Sequence, residues 1–417
     1  MHYYDPMFYI CSKEMPFSIR LEYTLKYEID GKLLDYAVNT AIKRYPYFSI
    51  RVEERDGDIV TVFNPLPIKV FMGDTPYPLG SEEVNYHMLY MTYRENRLNF
   101  HITHVITDGA GLMPFMKTVL YYYICRFLNV SLPDRCIRTL KDPMLEGERE
   151  NPFPEEKMDR AEPFYQIPQK EYFRIENGGY VNDDIRTYYS FRVKESDVMK
   201  FSHENDASPC AFFSATMAKT VWSVHPDENK DLVSAISFNL RSGLGNVNNY
   251  RLLCGAIKVR YPKKLNDSSI SRICTCTRGA VMAQSQPENV HYFAKQKREQ
   301  LKEILSLPDI KAKRETLSKI ALADSVDNTF SVSYVGRVDY GAMEDEIEMV
   351  RAFTDGSVNK TLFIEISSCK DYFHITLLQG FSNDIYYRAL LKELEMCGIE
   401  YKEEESGPLG TADIVLP

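Results

Sequence analysis

Most of what usually announces a function is missing from this 417-residue sequence. No apolar run reaches bilayer length: the longest, Phe115 to Leu128, is broken by Lys117 and Arg126, short of the roughly 20 residues a span needs. The opening MHYYDPMFYICSKEM lacks the basic start and apolar stretch of an export signal, so no export is expected. Positive charge is not in excess, with 50 Lys and Arg against 59 Asp and Glu. The field that neutralises phosphates is therefore absent at the level of the whole chain, and nucleic acid is not an expected partner.

Several catalytic signatures are absent too. Gly243-Leu244-Gly245 has no third glycine for a dinucleotide fingerprint, no glycine loop ends in Gly-Lys-Ser/Thr, and no Gly-x-Ser-x-Gly elbow occurs. Cys274 and Cys276 have no second Cys or His pair at zinc spacing, so no metal is expected. The nine cysteines are odd in number, scattered and mostly in apolar contexts. Such thiols pack as small hydrophobes, which points to a reducing, cytoplasmic location.

What is present is an ordinary globular composition, 44% hydrophobic and 26% charged, on a chain too long for one domain of about 100–200 residues. Periodicity predicts a helix over Lys32 to Tyr45, stopped by Pro46, and a hairpin over Ser49 to Val62 turning at Asp56-Gly57. A strand from Arg97 to Ile106 runs through a TDGAG turn into a helix over Leu112 to Leu128. From Lys141 to Gly179 prolines and charges interrupt all periodicity, the mark of a crossover or linker. Beyond it lie a strand at Thr187 to Val193, two helices, the second capped by Ser208 with Pro209 at its first position, and strands at Leu232 to Leu240 and Gly255 to Tyr261. A long helical stretch over Ser268 to Leu305 precedes strands near Phe330 to Val338, Thr361 to Ser368 and Tyr372 to Phe381, then a helix from Asp384 to Cys397. The acidic end from Lys402 reads as a poorly ordered tail. Each half carries strands with helices, an α/β (α+β) chain of two lobes: residues 1–165 and residues 166–417.

The chemistry concentrates in Phe100 to Gly111, FHITHVITDGAG, where a strand enters a glycine turn that opens a helix. Histidine is scarce, eight residues in all, which gives His104 followed by Asp108-Gly109 its weight. His101 falls on the opposite strand face from His104 and reads as structural. The pattern resembles the His-x-x-x-Asp-Gly motif of the chloramphenicol acetyltransferase-like superfamily, which includes alcohol acetyltransferases and the condensation domains of peptide synthetases. Ser237-Phe-Asn-Leu-Arg241, the later Cys254-Gly-Ala-Ile257, Arg44-Tyr-Pro46 and Ser331-Val-Ser-Tyr-Val-Gly-Arg337 are similar to further elements of that family, in order. The first of two adjacent histidines found in many members is Thr103 here.

The resemblance implies two lobes, each a mixed sheet with flanking helices, and an active-site tunnel between them. It implies transfer of an acyl group, acetyl by preference, from acyl-CoA to an alcohol. His104 would be the general base, with no covalent intermediate, no metal and no bound cofactor, acyl-CoA being a cosubstrate. Asp108 would pair with Arg241, and backbone donors near Gly109 or the hydroxyls of Ser331 and Ser333 are the candidates for the oxyanion. An amine acceptor, a carrier-protein thioester or a catalytically silent scaffold are the alternatives.

Overall fold

The computed structural model describes residues 5–12, 15–153, 171–325, 328–355 and 361–417. Three sheets organise them. The first contains Ser18–Leu25 (β1), Val70–Met72 (β4), Leu89–Arg94 (β5), Arg97–Thr103 (β6) and Ile347–Thr354 (β11), in the order β11-β1-β6-β5-β4. A small hairpin, Ile50–Arg55 (β2) and Asp58–Phe63 (β3), turns at Asp56 and Gly57, whose φ values of 52° and 76° suit a primed turn.

The second sheet is larger and mixed. Thr187–Lys194 (β7), Leu232–Asn239 (β8), Cys254–Tyr261 (β9), Phe330–Tyr334 (β10), Leu362–Cys369 (β12), Tyr372–Gln379 (β13) and Tyr401–Glu403 (β14) run β14-β7-β13-β12-β10-β8-β9, with Gly407–Pro408 (β15) also on β7. Helices Gly31–Ala41 and Gly109–Leu128 pack together in the first hydrophobic core. Helices Pro209–Val224, Ile270–Gln284 and Ile385–Met396 belong to the second, burying Trp222, Phe212, Phe213 and Leu390 against Ile236, Val332, Ile364 and Ile375. Burying each such side chain is worth about 1.5–3 kcal/mol, which makes these faces the chief stabilising term.

Several expectations need correction. The helix expected from Leu112 begins at Gly109, because Asp108 caps it. The stretch Ser268 to Leu305 is two helices, Ile270–Gln284 and Pro287–Leu305, since Pro287 cannot continue a helix yet suits a first helical position. Helix Ile310–Ser325 and strand β11 were not anticipated. The final segment is no loose tail: β14 and β15 extend the second sheet, Val415 donates to the Leu79 carbonyl at 2.8 Å and Leu79 to that of Asp413 at 2.7 Å. Thus β11 and the last residues, both within 166–417, complete the first lobe. Arg351 of β11 and Glu22 of β1 form a buried ion pair, with Arg351 Nε 2.9 Å from Glu22 Oε1.

Candidate active site

The last residue of β6, Thr103, pairs with Ser18, and the next amide, of His104, donates to the Phe17 carbonyl at 2.5 Å. His104 therefore sits where the strand ends and a turn begins, half-buried. Its Nδ1 lies 2.8 Å from the Thr107 carbonyl oxygen. A carbonyl only accepts, so Nδ1 is the donor, and in the neutral ring Nε2 is the nitrogen that holds the lone pair. Thr103, the departure from the paired-histidine pattern, is fully buried and its hydroxyl accepts from Val105 N at 3.3 Å, bracing the same turn. His101 sits elsewhere: it is buried, stacked on Tyr90 at 4.5 Å, with Nε2 3.0 Å from Thr92 Oγ1.

Asp108 points away from the imidazole. Its Oδ1 accepts from Gly111 N at 2.8 Å, capping the helix, and its Oδ2 accepts from Leu253 N at 2.8 Å. Both oxygens also meet Arg241, at 3.0 Å from Nη1 and 2.8 Å from Nη2. Arg241 is 4% exposed and Asp108 5%, so each charge needs full compensation. The guanidinium obtains it from Asp108 together with Asn239 Oδ1 at 3.2 Å and the carbonyls of Asn249 and Arg251 at 2.8 and 2.6 Å. A bidentate pair with every donor used is rigid, and it ties the His104 turn to the second lobe.

The turn is held on two further sides. Thr107 Oγ1 donates to the Tyr250 carbonyl at 2.6 Å. A Cβ on Gly111 would collide with that carbonyl and lie 2.7 Å from Arg241 Nη2 and from Thr107 Oγ1, so only glycine permits the close approach. The loop carrying Asn249 and Tyr250 leans on the described part of the proline-rich crossover: Asn249 Nδ2 donates to the Gly147 carbonyl at 2.7 Å, and Tyr250 N to that of Glu148 at 3.1 Å. Glu148 is locked by Arg44 at 2.8 Å. The rest of the expected linker, 154–170, lies outside the described residues. Sequence reading missed Thr107, Gly111, Asn239 and the Asn249 to Leu253 loop; Thr107 and Gly111, in the TDGAG run, and Asn239, in the Ser237 to Arg241 segment, stood in stretches it singled out, although Arg241, expected on that strand, opens a short helix just past its end.

Of the other expected residues, Gly109 faces the second lobe, where a Cβ added to it would lie 3.3 Å from Val335, the residue just past β10. Ser331 is buried and donates to Asn328 Oδ1 at 3.3 Å, while Ser333 stands beside Glu365 in the parallel β10–β12 register. Neither hydroxyl bonds His104 among the described residues. A cavity of about 700 Å³ opens beside the turn, lined by Tyr47, Ile106, Glu148 and Arg251, and Tyr47 donates to the Ile106 carbonyl at 2.6 Å. No group of His, Cys, Asp and Glu among the described residues could hold a metal.

No family model and no curated protein matches the sequence. Solved structures do. TRI101 of F. sporotrichioides, complexed with coenzyme A and T-2, superposes with a TM-score of 0.61 at 10% identity over 96% of this chain and 98% of its own. Polyketide synthase associated protein 5 from Mycobacterium tuberculosis gives 0.57 at 13% identity, covering 91% and 92%. The first condensation domain of the calcium-dependent antibiotic synthetase gives 0.58 at 10%, covering 92% and 91%. The fold is chloramphenicol acetyltransferase-like. Its two lobes and mixed sheets are those anticipated from the His-x-x-x-Asp-Gly resemblance, and no described helix is long and apolar enough to cross a membrane.

Proposed function

We propose that the protein transfers an acyl group, acetyl by preference, from acyl-CoA to an alcohol in a ternary complex, with His104 as general base. The observation that carries this reading is the Nδ1–H bond of His104 to the Thr107 carbonyl, which makes Nε2 the lone-pair nitrogen of the neutral ring in a half-buried turn between the lobes. An alcohol is too weak an acid to attack a thioester at neutral pH, whereas a neutral imidazole takes its proton as the oxygen attacks. The tetrahedral intermediate then collapses, the C–S bond breaks, and the imidazolium returns the proton to the departing thiolate. Asp108 serves the step indirectly: with Arg241 it fixes the turn that sets the imidazole. Donors for the oxyanion are sought near Gly109 and Ser333.

Two neighbours of the same fold, TRI101 of F. sporotrichioides and of F. graminearum, were crystallised with coenzyme A and a small-molecule toxin, which supports this choice of donor and acceptor class. The test is thiol release from acetyl-CoA with a panel of alcohols and amines. Release dependent on alcohol supports the reading; release with amines alone transfers it to N-acylation; no release with any acceptor defeats it in favour of a scaffold. A burst of acylated protein without acceptor would show a covalent route instead.

A further inference from the structure

We propose that Glu365 selects the acceptor of the transfer reaction, and that the acceptor is an amino alcohol whose basic nitrogen pairs with the Glu365 carboxylate between the two sheets. The inference rests on the transfer reading above and adds the substrate class to it.

Side chains alternate along a strand. Ile364 and Ile366 of β12 enter the apolar core beneath the helices, so Phe363, Glu365 and Ser367 face the other way, toward the first lobe. Phe363 meets Phe353 of β11, and Ser367 Oγ donates to the Val350 carbonyl of the same strand at 2.5 Å. Glu365 projects between these two anchor points. Its cross-strand neighbours are Ser333 and Thr376, so the wall around it offers hydroxyls. Glu365 and Ser333, like Ala352 on β11, are only half-buried and keep accessible surface between the two sheets. A carboxylate that keeps surface between two sheets is within reach of a small molecule.

The same face approaches the site. Val335, the residue just past β10, lies against Gly109, and the Cys254 thiol is in electrostatic reach of both Asp108 and Glu365. Among the described residues no Lys or Arg stands against Glu365; burial, relieved only by Ser333, pushes its carboxyl up to about 8. Asp108 shows what this fold does with a structural carboxylate: it gives it Arg241 and two backbone amides. Glu365 has been given none of these. An amine entering neutral takes the Glu365 proton, and the resulting ammonium–carboxylate pair leaves no charge uncompensated. The protonated nitrogen cannot attack the thioester, which leaves the hydroxyl end of the acceptor for His104.

The test uses the full chain and a series of linear amino alcohols with the alkanols of the same length. By calorimetry, the best amino alcohol should bind the native protein at least about tenfold more tightly than its alkanol. Glu365→Gln, nearly isosteric, should erase that difference, and Glu365→Asp should keep part of it. The ratio of kcat/KM for thiol release should follow the same pattern. Equal binding of an amino alcohol to the native protein and Glu365→Gln, or no amino-alcohol binding, overturns the proposal. Failure of the transfer reading is distinguishable: thiol release would then be absent with every acceptor while the binding difference and its loss in Glu365→Gln persist.

Discussion

His101 and His104 belong to one short segment, yet the fold treats them as different chemical objects. His101 lies within β6, 1% exposed, pressed flat against Tyr90 with Nε2 on Thr92; burial first, then the neighbouring Arg20 charge, holds its imidazole well below the usual range and thus neutral. His104 lies just beyond the last ladder pair, where the strand has ended, and one backbone carbonyl fixes its tautomer. A step of three residues moves a side chain to the other face of a strand and, here, out of the ladder. The lesson is that position relative to the strand end decides which histidine is packed into the ladder and which keeps a half-buried ring with one nitrogen fixed. Stability should answer to the first histidine, turnover to the second.

The largest effect expected on that contrast is from His104→Ala. It should lower kcat/KM for thiol release by about 10²–10⁴ while leaving acyl-CoA binding and the unfolding midpoint close to native, because the base acts in the transition state. Undiminished turnover would remove His104 from the mechanism.

Asp108→Ala should fall on the stability side despite its place in the motif. It strands Arg241 as a buried charge and uncaps helix Gly109–Leu128, and should cost about 3–5 kcal/mol in denaturant unfolding, with turnover falling as the turn loosens. Adding Arg241→Ala should recover part of that loss, since the double variant buries no lone charge. Native stability with reduced turnover in Asp108→Ala would instead make Asp108 a partner of the imidazole. His101→Ala comes next: about 2 kcal/mol of stability is expected to go with the cavity and the lost Thr92 contact, with turnover per folded molecule retained.

How far the sequence led follows from where each interaction's partners lie. The spaced motif of His104, Asp108 and Gly109 drew attention to the turn, and the expected pairing of Asp108 with Arg241 is present in the structure. The hairpin turn at Asp56-Gly57 and the cap at Ser208-Pro209 were legible because they are local. Strand β11 was not, because Glu348 and Arg351 break its apolar pattern, and Arg351 is neutralised by Glu22, more than 300 residues away in the chain. Gly111 was passed over because the atoms it makes room for belong to Tyr250 and Arg241. The Asn249 and Arg251 contacts are backbone carbonyls, which every residue has and no side-chain pattern advertises. Glu365, a lone charge inside the strand LFIEISSC, was passed over as well.

The smallest effect sharpens the contrast through pH. A histidine whose folded-state affinity for protons is depressed stays neutral in the native protein at pH values where the unfolded chain, with a reference pKa of about 6.5, takes one up. The unfolded state then binds more protons, so native stability contributed by His101 is present above pH 6.5 and is lost as the pH falls below it. One proton is worth about 1.4 kcal/mol per pH unit, so between pH 6.5 and 5 His101 accounts for at most about 2 kcal/mol of acid destabilisation. His101→Gln keeps a polar contact available to Thr92 and cannot titrate. Its unfolding free energy should therefore decline less steeply than the native protein's over that interval, and the two curves should converge toward pH 5. Parallel curves would mean that His101 is protonated in the native state, which would place a charge between Tyr90 and Arg20 and undo the structural role assigned to it.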